Sequence, residues 1–242
     1  MTAQRSKIKS NARRGLLARP LDSLLFLLPL IVLYEAASLL AGGDGIHAGA
    51  ERVVAFQLLR VFFDLFGVTG FLMPGLAVVA ILVATQFFSK QPWRLDKKAA
   101  AVMYVEATLW ALPLIALNHF TQMAAFDWPA QSWAANISLC IGAGIYEELV
   151  FRLALISFIV MIGADLLRFP QGSTLVAAVL IAAGLFALHH HPPLGSEPFE
   201  AFRFTFRVLA GVYLGTIFVY RGYGPAAGAH IAYNLLIVAL GA

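Results

Sequence analysis

The stretch AANISLCIGAGIYEELVFRLALISFIVMIGA, residues 134–164, decides the reading of this chain, and its only charges are Glu147, Glu148 and Arg152 near the middle. As one straight helix from Ala134 to Ala164 it would run about 46 Å at 1.5 Å per residue. A bilayer's hydrocarbon core is only about 30 Å thick, so the segment is expected to be kinked, strongly tilted or divided in two. An ionised group at membrane depth costs roughly 2.5–3.5 kcal/mol even on the lenient insertion scale, and such groups persist where they face a bundle interior or a water-filled cavity. The three charges therefore mark a candidate site inside an all-α, polytopic membrane bundle.

The rest of the chain agrees. Of 242 residues, 60% are hydrophobic and 12% charged, with a mean hydropathy of +0.80; such a chain cannot cover a globule with polar surface. No repeat or low-complexity linker divides it. The organisation expected is a basic tail over residues 1–22 and a single membrane domain over 23–242. The one cysteine, Cys140, lies in an apolar run, which excludes an intramolecular disulfide framework. Arg5, Lys7, Lys9, Arg13, Arg14 and Arg19 occur with no acidic residue among them. That flank predicts a cytoplasmic N-terminus and suits anionic lipid headgroups better than nucleic acid. Ser23–Ala41 is long for a signal peptide and lacks a convincing cleavage site, so it reads as a retained first span. The expected setting is a bacterial plasma membrane.

Further along, Gly42-Gly43-Asp44-Gly45 breaks the first helix. Glu51–Phe66, with Arg60 and Asp64 among Phe and Leu, reads as an amphipathic or interfacial helix. Phe71–Phe88 should cross next and deliver the basic residues Lys90, Arg94, Lys97 and Lys98 to the cytoplasmic side. Val102–Leu117 is another span, followed by the turn-rich Asp127-Trp128-Pro129. Gly172–Leu188 carries no charge and ends at His189-His190-His191-Pro192-Pro193, where prolines stop the helix. Phe204–Tyr220 and Ala226–Leu240 complete a count of seven spans, or eight if the long or amphipathic segment divides.

Helical spacing sorts the polar residues. Glu148 and Arg152 stand four apart and share a face, whereas Glu147 is rotated by about 100° from Glu148 and points elsewhere. One glutamate can thus be held by arginine while its neighbour stays free to act as a general base. A purely structural ion pair is the competing account. Phe186 and His190 stand four apart near the end of their span. The three consecutive histidines raise the question of a metal, but adjacent helical residues diverge too far to ligate one ion easily. His230 and Asn234 also share a face, and two donors aimed at one point could hold an oxyanion; helix-to-helix hydrogen bonding is their plainer use.

The ordered set E-E-x-x-x-R, F-x-x-x-H and H-x-x-x-N on three successive segments resembles the CPBP family, the type II CAAX prenyl endopeptidases and their bacterial relatives, also called Abi proteins. The matching residues are Glu147, Glu148 and Arg152; Phe186 and His190; His230 and Asn234. Gly211, Gly215 and Tyr220-Arg221-Gly222-Tyr223-Gly224 look like that family's lead-in to its last helix. The resemblance covers about residues 134–240. It implies a glutamate-dependent intramembrane endopeptidase with no catalytic metal or other cofactor, acting on a membrane-associated protein or peptide, prenylated or C-terminally tagged. By carry-over, Glu147 with His190 activates water and His230 with Asn234 holds the oxyanion. Glu148 and Arg152, with Phe186, support the site. Within the trio, only the F-x-x-x-H spacing selects His190 over His189 and His191.

Other intramembrane chemistries lack their signatures: there is no H-E-x-x-H, no G-x-S-G and no pair of aspartate motifs, since Ala41-Gly42-Gly43-Asp44 misses the first glycine. Two readings from other classes remain open at this point. One is a non-enzymatic membrane protein, in bacteriocin immunity or as a scaffold; the other is a transporter, although no inverted repeat or pair of broken helices supports it. Glu35 and Glu106 read as satisfied polar contacts, and Arg203 and Arg207 as snorkelling cations. The loop from Pro192 to Phe202 could gate substrate entry.

Overall fold

A computed structural model of the chain describes residues 20–41, 54–67, 72–89, 91–120 and 133–240. The basic residues from Arg5 to Arg19, the Gly42–Gly45 break, Lys90 and the Asp127-Trp128-Pro129 turn lie outside them. Among the described residues there is no strand. Helices follow in the order α1 (Pro20–Ala41), α2 (Val54–Asp64), α3 (Met73–Ser89), α4 (Lys97–Phe120), α5 (Trp133–Leu166), α6 (Gln171–Leu188), α7 (Ala201–Arg221) and α8 (Tyr223–Leu240).

Six of these, α1 and α4 to α8, are long and apolar enough to cross a membrane, and α3 is an apolar helix of 17 residues. The chain is an all-helical integral membrane protein. Its outer faces carry exposed Val105, Leu109 and Leu112 on α4 and Val176 and Leu180 on α6, an apolar surface that lipid rather than water would solvate. The short α2 buries only Ala55 and Phe56, setting Phe56 against Tyr34 and Tyr146, while Arg60, Val61, Phe62 and Asp64 are exposed. At 11 residues it is far too short to span.

The long segment does not divide. α5 is continuous over 34 residues, and wide π-helical turns occupy Ala143–Ile156 and Met161–Leu166. Such turns bond each N–H to the carbonyl five residues back and gather at functional positions in helices. Gly144 lets this stretch approach α8: a Cβ there would come within 2.3 Å of the Ile231 side chain and 2.9 Å of the Ala227 carbonyl oxygen. Just beyond, the Tyr223 hydroxyl donates to the Ile145 carbonyl at 2.7 Å. α5 therefore sits against α8 on one side and α6 on another, with α1 also packed on it. The core between them is built from Ile141, Ile145 and Leu149 of α5, Ala178 and Ala182 of α6, and Ala226, Ala227 and Ile231 of α8, and the small residues permit close backbone approach.

Candidate active site

Three helices bring the sequence motifs to one place. Glu147, Glu148 and Arg152 sit in the π-helical part of α5, with relative exposures of 4%, 0% and 0%. Glu148 Oε1 lies 2.9 Å from Arg152 Nη1, as the four-residue spacing requires, and 2.9 Å from Nδ1 of His230 on α8. The arginine contact is poorly aligned for a hydrogen bond, so it acts through charge. Arg152 is held from two further directions: Nη2 donates to the Gly211 carbonyl of α7 at 3.5 Å, and the guanidinium lies 4.2 Å from the centre of the Phe186 ring, a cation–π contact strengthened by burial of both groups. A charge this deep needs such partners, because burying one unpaired is far more costly than burying a hydrogen-bonded neutral group.

Glu147 faces the other way, towards imidazoles. Its Oε1 lies 3.5 Å from His189 Nε2 and its Oε2 lies 3.9 Å from His230 Nε2. Ligating atoms of Glu147, His189 and His190 all fall within 4.8 Å of one another. Both histidines occupy the turn after α6, where the rule that helical neighbours diverge no longer holds, and their rings stand 4.0 Å apart. The Phe186 carbonyl explains their common orientation: it receives Nδ1 of His189 and, at 2.9 Å, Nδ1 of His190. A carbonyl only accepts, so Nδ1 carries the proton in each ring and the neutral form keeps its lone pair on Nε2. The same logic applies to His230, whose Nδ1–H donates to Glu148 and whose Nε2 faces Glu147. Phe186 is thus a hub, its carbonyl orienting two histidines and its ring lying against Arg152, His230 and Phe151.

The four-residue spacing from Phe186 singles out His190; the structure also brings in His189, whose Nε2 lies 3.5 Å from Glu147 Oε1. His191 points away, its Nδ1 bonded to the Glu197 carbonyl at 3.0 Å. Asn234 lies one turn beyond His230 on α8, half-buried, and among the described residues its amide has no hydrogen-bond partner. Glu106 is satisfied, as expected, by a two-pronged contact with Arg221 at 2.6 and 2.7 Å. Arg207 does not snorkel. It is buried, and its Nη2 donates to both oxygens of Glu197 at 2.8 Å, a partner in a loop that helical periodicity could not place.

Residues 128–236, somewhat under half the chain, match the family model described as type II CAAX prenyl endopeptidase Rce1-like. Over that C-terminal region the chain is similar to that family. The Rce1-like match contains every residue of the carboxylate–imidazole cluster and agrees with a CAAX-type intramembrane protease in general. No curated protein and no solved structure matches the chain.

Proposed function

We propose that this Rce1-like protein is an intramembrane endopeptidase in which Glu147 and the His189–His190 pair activate a water molecule for attack on a peptide carbonyl. The observation that carries this reading is the buried Glu147 carboxylate set 3.5 Å from His189 Nε2 and 3.9 Å from His230 Nε2. A carboxylate and a lone-pair nitrogen around one small space can take the proton of a water between them, the requirement for general-base catalysis. The water oxygen bonds to the carbonyl carbon, the carbon–nitrogen bond breaks, and the proton held at the glutamate–histidine pair passes to the departing amine.

His230 and Asn234 stabilise the developing oxyanion in this scheme. With Nδ1–H committed to Glu148, His230 donates from Nε2 only as the doubly protonated imidazolium. Glu148 and Arg152 hold the imidazole in place from behind. The substrate is a membrane-associated protein or peptide, since the site lies among membrane-crossing helices and substrate must reach it from the bilayer or its surface.

A second reading draws on one observation, the convergence of Glu147, His189 and His190 within 4.8 Å. Two imidazoles and a carboxylate are also a donor set suited to a divalent ion such as zinc, which would supply an activated water at the same place. Cleavage of a membrane-presented peptide library by purified protein in liposomes, with and without a chelator, separates the two. The glutamate mechanism predicts cleavage that survives chelation; loss on chelation, restored by added metal, would establish the second.

A further inference from the structure

The far end of the α5–α6 pair, away from the histidine turn, holds a groove that the carboxylate–imidazole cluster does not use. α6 runs back along α5: Phe186 lies against Phe151 near the cluster, and Gly163 meets Thr174 at the other end, where a Cβ on the glycine would come within 2.6 Å of the threonine methyl. Around that contact Phe158 and Ile162 of α5, Phe169 of the connecting turn and Ala177 of α6 line an open groove of about 500 Å³, within the usual range of ligand sites. Phe158 and Phe169 are 56% and 59% exposed along it. Its hydroxyl-bearing residues add little that is polar, because Ser173 and Thr174 both donate to the Pro170 carbonyl, at 2.9 and 3.1 Å. Water in the groove would find few partners. Hydrocarbon suits its walls, and on the outside of membrane-crossing helices that means a lipid chain.

Charge says which lipid. Arg168 directly precedes Phe169 and Pro170, which line the groove, and is itself exposed. Among the described residues it has no hydrogen-bond or ion-pair partner. Its φ of 61° is uncommon for a residue with a Cβ. The turn, closed by the Phe169 N–H on the Gly163 carbonyl at 2.8 Å, would form more easily with glycine, so the backbone alone does not require an arginine. The same end of the bundle carries Arg94, Lys97 and Lys98, all exposed. α7 runs antiparallel to α6, with Gly211 at Ala183 and Gly215 at Val179, and Arg221 at its end reaches Glu106 in the first half of α4. Of the acids there, Asp22 and Asp96 accept backbone N–H bonds and Asp165 is exposed. A basic face of this kind attracts anionic lipid headgroups.

We propose that the α5–α6 groove binds one acyl chain of an anionic phospholipid whose phosphate sits against Arg168. No residue of the cluster lines it, so the site stands apart from the peptidase reading. The chain fills the seam between the helix that carries Glu147 and the helix that leads into His189 and His190, and its binding stabilises their pairing.

The test uses the full chain in detergent micelles and phosphatidylglycerol with a photoreactive diazirine in one acyl chain. Labelling is expected to saturate and to map to residues 158–177. Unlabelled phosphatidylglycerol should compete about fivefold better than phosphatidylcholine of the same chains, the scale of one cation near a membrane surface. In Arg168→Gln that ratio should fall to about one while labelling persists, and Arg168→Lys should keep most of it. Ala177→Trp, which fills the groove from an exposed position, should lose the labelling. Thermal unfolding establishes that each variant is folded; its midpoint should rise with added phosphatidylglycerol in wild type and not in Ala177→Trp. Labelling that never saturates, or that survives Ala177→Trp unchanged, would mean an unselective lipid annulus and overturn the site. Equal competition by the two lipids in wild type, or an equal loss of preference in Lys97→Gln/Lys98→Gln, would overturn the role of Arg168.

Discussion

Two ion pairs inside membrane-crossing helices join the same residue types, glutamate and arginine, and differ in kind. Glu106 and Arg221 join α4 to α7 through two short hydrogen bonds, with the arginine side chain 49% exposed; each group is satisfied by the other, and the pair is a strut. Glu148 and Arg152 are wholly buried, yet their contact is poorly aligned, and Glu148 Oε2 and Arg152 Nε have no hydrogen-bond partner among the described residues. Instead of closing on itself, the inner pair spends its contacts outward, on His230, Phe186 and Gly211. A buried pair of that kind is weak evidence for stability and better evidence for orientation, because what it fixes is the imidazole facing Glu147.

That difference predicts unequal responses to mutation. Removing one inner charge, as in Arg152→Met, should cost about 3–5 kcal/mol by stranding Glu148, whereas Glu148→Gln/Arg152→Met should recover much of it; thermal unfolding in detergent measures both, and an additive double variant would break the comparison. Gly144→Ala should cost about 1–3 kcal/mol through overpacking, since the added methyl meets Ile231 and the Ala227 carbonyl. Its cleavage rate should fall as well, because α5 and α8 carry Glu147 and His230 respectively. Tyr223→Phe removes the donor to the Ile145 carbonyl and should cost about 1 kcal/mol, with faster amide exchange confined to the π-helical stretch. Smallest of all, Arg221→Gln at the outer pair should cost less than about 1 kcal/mol and leave cleavage unchanged; a large loss there would mean that the two pairs do not differ as described.

Much of the architecture was legible because membrane spans are written in length and hydropathy, and Glu148 and Arg152 found each other because the pair is local. The π-helical turns were not legible: apolar residues on either side of Glu147 fit a continuous, a kinked or a divided helix equally well, and what distinguishes them is packing of Gly144 and Tyr223 against partners some eighty residues away in sequence. Helical spacing singled out His190 from the trio. The structure brings His189 beside it, because both lie past the last helical turn and share the Phe186 carbonyl. Arg207 read as a snorkelling cation because its partner, Glu197, belongs to an irregular loop, where no periodicity assigns neighbours.

The central claim is that Glu147 is the base. Its most direct test is kcat/KM for one membrane-presented peptide measured with wild type and with Glu147→Gln, both shown to be folded and both assayed with chelator present. Wild type is expected to cleave and the variant to lose about 10²–10⁴-fold; a variant that cleaves within a few-fold of wild type would contradict the assignment of Glu147 as the base.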